Sequence, residues 1–92
     1  MITLEILCIH FAALTPDDLR RWIAEGYVRP EAAGDELHFR EIDVERVRLI
    51  LELRDELAVN EEALPLVLSL LDQVYALRRK LRRLGAAVDE EG

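Results

Sequence analysis

Residues Thr15–Pro30 read TPDDLRRWIAEGYVRP. Thr15 is a helix N-cap residue, and Pro16 suits the first helical position, where no amide donor is needed. Asp17 and Asp18 place negative charge at the positive end of the helix dipole. Leu19, Trp22 and Ile23 recur at helical spacing as an apolar stripe, which leaves Arg20, Arg21 and Glu25 outward. Gly26 can adopt the left-handed conformation that terminates a helix. The stretch predicts a helix running to Glu25 with one buried face.

Upstream, Thr3 caps a short helix from about Leu4 to Phe11, with Leu4, Leu7, Cys8 and Phe11 on its buried face. Ala12–Leu14 is then a tight turn, and the two helices form a helix-turn-helix. Downstream, Tyr27-Val28 and Leu37-His38-Phe39 flank an acidic loop from Pro30 to Glu36, which predicts a small β-hairpin wing. Asp43 is expected to cap a third helix reaching about Leu57. Val44, Val47, Ile50, Leu51 and Leu57 would face inward, with Glu45, Glu52, Asp55 and Glu56 mostly outward. Asn60 is expected to cap a last helix to about Leu84, with Pro65 delaying its start or bending it.

That last helix carries two patterns. Ala63, Val67, Leu70, Val74, Leu77, Leu81 and Leu84 follow alternating steps of four and three, an a/d seam sustained for three heptads. Val67, Leu70, Val74, Leu77, Leu81 and Leu84 are the expected dimerisation residues of a homodimer. Leu64, Leu68, Leu71 and Tyr75 form an adjoining apolar stripe. One face would pack on the chain's own domain and the other on a partner helix; the alternative places both stripes in one monomer core. The organisation expected is a winged helix-turn-helix over 1–60, a helix for packing and dimerisation over 61–85, and a flexible acidic tail over 86–92. The fold class is mainly α.

Charge sets the function classes. The chain of 92 residues carries −7, and its first 60 residues hold 7 Arg against 13 Asp plus Glu, a formal −6. A phosphate-binding surface needs the opposite sign, because Lys and Arg must displace condensed counterions. The one cationic patch is Arg78-Arg79-Lys80-Leu81-Arg82-Arg83. It complements a helix C-terminus and flanks the seam, with an anion or nucleic-acid contact as the rival reading. No run approaches the roughly 18 apolar residues of a membrane span. The apolar start lacks a basic leader and is interrupted by Glu5, so it does not read as a signal peptide. A single Cys excludes an intrachain disulfide, and a cytoplasmic location is expected. Cys8, His10 and His38 lack the paired spacing of a metal site. No nucleophile–base set or Gly-rich phosphate loop is present, so neither catalysis nor a cofactor is expected. An acidic surface instead suits a basic protein partner.

Thr15-Pro16, Leu19-Arg20, Trp22, Glu25-Gly26-Tyr27-Val28 and Pro30 resemble the MerR-type winged helix-turn-helix. Leu37-His38-Phe39, Asp43-Val44-Glu45-Arg46-Val47 and Leu53-Arg54-Asp55-Glu56-Leu57-Ala58-Val59-Asn60 continue that resemblance in order. A narrower resemblance, to the CbpM-type chaperone modulators, rests on Leu7-Cys8-Ile9-His10, on residues 53–60, and on Leu68-Ser69-Leu70-Leu71-Asp72-Gln73-Val74 with Leu77. It implies a protein that binds the J-domain of a DnaJ/CbpA-like co-chaperone and blocks its stimulation of Hsp70. Glu45, Glu52, Asp55 and Glu56 would then make the J-domain contact. The alternative is a MerR-family transcription regulator reading duplex with Arg20, Arg21 and Arg40. The acidic wing residues Glu31, Asp35 and Glu36 and the Gly-free turn Ala12-Ala13-Leu14 depart from that regulator pattern.

Overall fold

A computed structural model describes residues 1–85; the expected acidic tail, 86–92, lies outside the described residues. The elements are α1 (Leu4–His10), α2 (Pro16–Ala24), β1 (Glu31–Ala33), β2 (Glu36–His38), α3 (Glu41–Leu51) with a π-helical turn (Glu52–Glu56), and α4 (Leu64–Leu84). The chain divides into two compact units, Met1–Glu61 and the chain from Glu62 onward.

The caps of α1 and α2 hold as read. The Thr3 hydroxyl accepts the Ile6 N–H at 3.3 Å and the Thr15 hydroxyl accepts that of Asp18 at 3.1 Å. Such caps contribute about 1 kcal/mol each. Gly26, at φ 84°, donates its N–H to the Ile23 carbonyl, and Tyr27 donates to that of Trp22. This paired closure is the Schellman motif, and it requires the left-handed residue.

The wing differs from the expected hairpin. β1 begins at Glu31 rather than Tyr27, and pairs antiparallel with β2, Glu31 opposite His38 and Ala33 opposite Glu36. Tyr27 is consumed by the closure of α2, and Val28 is buried in the core. Gly34, at φ 64°, lets the chain reverse in two residues, which draws the strands tight around it. The Phe39 N–H also donates to the Ile2 carbonyl at 2.8 Å, so the extreme N-terminus extends the wing.

Asp43 is not the cap of α3. Arg40 is the N-cap, and Asp43, one turn inside, reaches back to accept the Arg40 backbone N–H at 2.8 Å and its Nε at 3.0 Å. Asp43 is only 4% exposed, and these charge-assisted bonds offset the cost of burying its carboxylate. Beyond Leu51 the helix widens into the π turn, closed by Leu57 N–H to the Glu52 carbonyl at 3.1 Å, and Ala58 follows at φ 55°. The wider winding shifts the phase of the side chains. Leu53 thereby takes the buried position, and Leu57, expected inward, is exposed.

The core of this unit comprises Leu7, Leu14, Leu19, Trp22, Val28, Phe39, Val47, Ile50, Leu51 and Leu53. Burial of each large apolar side chain contributes roughly 1.5–3 kcal/mol. In the second unit α4 starts at Leu64, with Ala63 rather than Asn60 as its cap. Pro65 then falls in the first turn, where an amide donor is dispensable. The two stripes of α4 meet different fates. Leu64 and Leu68 are buried, whereas Leu70, Val74, Leu77, Leu81 and Leu84 are exposed, from 41% at Val74 to 79% at Leu84. Val67 and Leu71 are half-buried, and Tyr75 is exposed.

Candidate protein-docking surface

The arginines of the first unit are spent within it. Arg20 lies 3.5 Å from Asp17, both fully at the surface. Arg21 pairs with Asp18 at 2.9 Å and Glu61 at 3.4 Å. Arg29 donates to the Gly26 carbonyl at 3.4 Å, and Arg46 to the Tyr27 carbonyl at 2.9 Å. Arg40 binds Asp43, donates to the Arg29 carbonyl at 3.0 Å and lies 3.9 Å from Glu31. Arg48 pairs with Glu45 at 2.8 Å and sits 5.5 Å over the Phe11 ring. The three residues of the duplex-reading alternative, Arg20, Arg21 and Arg40, are therefore each beside a carboxylate, and a phosphate would have to compete with it.

Arg54 binds the most partners. Its guanidinium donates to Asp18 at 2.9 Å, to the Ala13 carbonyl at 3.2 Å, and to both Asp55 oxygens at 2.7 and 3.2 Å. It also covers the Trp22 ring at 5.6 Å. One side chain thus ties the helix-turn-helix to the π turn. The hydrogen bond from Arg54 holds the Asp55 carboxyl below its ordinary value. At Asp18 burial alone pushes the carboxyl up, but the hydrogen bonds from Arg54 and Arg21 outweigh it and the group also sits low. Burial, with the Glu5 carboxylate, raises the Cys8 thiol above its ordinary value.

Of the four acidic residues expected at a partner contact, three converge. Glu52, Asp55 and Glu56 line a groove of about 300 Å³ whose apolar side is Phe11 and Leu51. Glu45 does not line it. Asp55 is held by Arg54 and Glu45 by Arg48, so Glu52 and Glu56 are the two groove carboxylates without an ion pair among the described residues. One groove residue, Phe11, and one residue outside its lining, Arg54, were not visible in these roles in the sequence. Phe11, read as the last residue on the buried face of α1, is instead its C-cap and partly open. Arg54 reads as one more charge on a solvated face, and nothing in its helical phase signals partners 36 and 41 residues away.

Among the described residues no helix is long and apolar enough to cross a membrane, and no three His, Cys, Asp or Glu side chains group as metal ligands do. A family model described as MerR HTH family regulatory protein matches residues 2–85. No curated protein and no solved structure matches the chain.

Proposed function

We propose, from the premise that this chain belongs to the MerR helix-turn-helix regulatory family, that it is a cytoplasmic, non-catalytic chaperone modulator. In this reading it binds the J-domain of a DnaJ/CbpA-like co-chaperone and prevents that domain from stimulating Hsp70. The observation that carries it is the state of the arginines: each one in the first unit has a partner there, while Glu52 and Glu56 line an open groove with no ion pair among the described residues. Such a surface attracts a basic protein helix and repels phosphate. The J-domain itself is supplied by the CbpM-type resemblance. The exposed part of the a/d seam of α4, Leu70 through Leu84, makes the active species a homodimer in this reading.

Binding of the purified chain to the J-domain proteins of its own cell tests the proposal, with Hsp70 ATPase as the readout. Capture of a J-domain protein and suppression of the ATPase are expected, and charge reversal at Glu52 and Glu56 should weaken capture by about tenfold, near 1.4 kcal/mol. Tight, sequence-selective binding of genomic fragments at about 0.1 M salt, with no J-domain captured, would transfer the function to the duplex-reading alternative.

A further inference from the structure

Five of the six residues from Arg78 to Arg83 are cationic, and all five are exposed on the last turns of α4. Among the described residues none of them forms an ion pair. One or two cations suffice to complement a helix C-terminus. Five exceed that need and repel one another, since Arg78 with Arg82 and Arg79 with Arg83 stack four residues apart on the helix surface. The first unit has the opposite imbalance, with Glu52 and Glu56, also four residues apart, at the rim of the Phe11 groove. Each cluster lacks what the other supplies, at matching spacing.

We propose that the basic run of one copy seats in the acidic groove of a second copy. The guanidinium groups of one cationic pair meet Glu52 and Glu56, and their aliphatic stems lie over Phe11 and Leu51, as long cationic side chains do on apolar surface. The occupant is a second copy because the run is interrupted by Leu81 and flanked by Leu77 and Leu84, apolar residues left exposed in the single chain. Packing of those leucines on another chain raises the local concentration of the run beside it, so modest surface ion pairs become effective. The groove is then self-occupied, and any basic partner must first displace the run. This inference stands on the charge clusters and does not need the J-domain reading.

Lys80 is the only lysine of the chain and lies inside the run, so it reports the run's position directly. A mixture of isotopically light and heavy protein, treated with a zero-length carbodiimide cross-linker, should yield Lys80 joined to Glu52 or Glu56 between light and heavy chains. The cross-link should disappear at about 0.5 M NaCl, where screening is strong. In sedimentation, Glu52→Arg with Glu56→Arg should weaken self-association by about tenfold, as should Arg79→Glu with Arg83→Glu, and the combined variant should recover it. Circular dichroism melting of each variant establishes that it folds. Cross-links from Lys80 only to the acidic tail or only within one chain, or no recovery in the combined variant, would overturn the proposal.

Discussion

Arg54 shows how a single side chain decides the geometry of the surface. Its planar fork satisfies Asp18, Asp55 and the Ala13 carbonyl together and covers Trp22, a set that a lysine's point charge cannot reproduce. Arg54→Ala is expected to lower the unfolding free energy by about 2 kcal/mol, read from urea denaturation, because it removes the bonds to Asp18 and the Ala13 carbonyl and the cover over Trp22 together. Arg54→Lys should fall between wild type and alanine. Asp18 sets the acid limit of the same cluster. Its folded-state value is depressed, so its contribution is complete above the unfolded value of about 3.9 and is lost as pH falls through the lower folded value. Stability measured from about pH 5 downward should therefore drop, and Asp18→Asn should flatten that drop while costing stability at neutral pH. A profile unchanged in Asp18→Asn would remove this cluster from the acid response.

Two elements bear on docking. The π turn at the end of α3 changes the side-chain phase, so that Leu53 is buried and Leu57 exposed. Glu52, Asp55 and Glu56 line one groove at a spacing of i, i+3 and i+4, which shares a face on a regular helix as well. The second element is α4, whose two apolar stripes differ by burial. Leu68→Ala should cost about 2–3 kcal/mol in unfolding free energy, since its side chain is 2% exposed. Leu77→Glu, at a 58% exposed position, should leave the melting of dilute protein nearly unchanged and abolish self-association in sedimentation. Loss of folding in dilute Leu77→Glu, or an unaltered oligomeric state, would place the seam inside one chain.

Over the whole molecule, charge is separated along the sequence. The first 60 residues carry −6, while Arg78–Arg83 holds five of the twelve cations. Attraction toward a basic partner then acts at long range and is screened over roughly 8 Å at physiological salt. The association rate with a basic partner should fall steeply as ionic strength rises, measured by stopped-flow mixing, with a smaller change in dissociation. A rate insensitive to salt would mean that the acidic unit does not steer the encounter.

Thr3, Thr15, Pro16 and Gly26 determined the first two helices by themselves, because caps and left-handed turns are local bargains between a residue and its own backbone. The alternating apolar steps determined α4 and its two stripes in the same way. Tertiary structure alone decided that Arg54 reaches Asp18 and the Ala13 carbonyl, 36 and 41 residues away. Glu45 and Asp55, by contrast, are claimed by Arg48 and Arg54 from three residues and one residue away, and Glu52 and Glu56 have no ion pair among the described residues. The sequence likewise offered Asp43 as a cap and Leu57 as core, and Arg40 and the π turn reassigned both. The reason is physical: local periodicity reports which way a residue faces, whereas the pairing of a charge depends on groups tens of residues away that only folding brings within 3 Å.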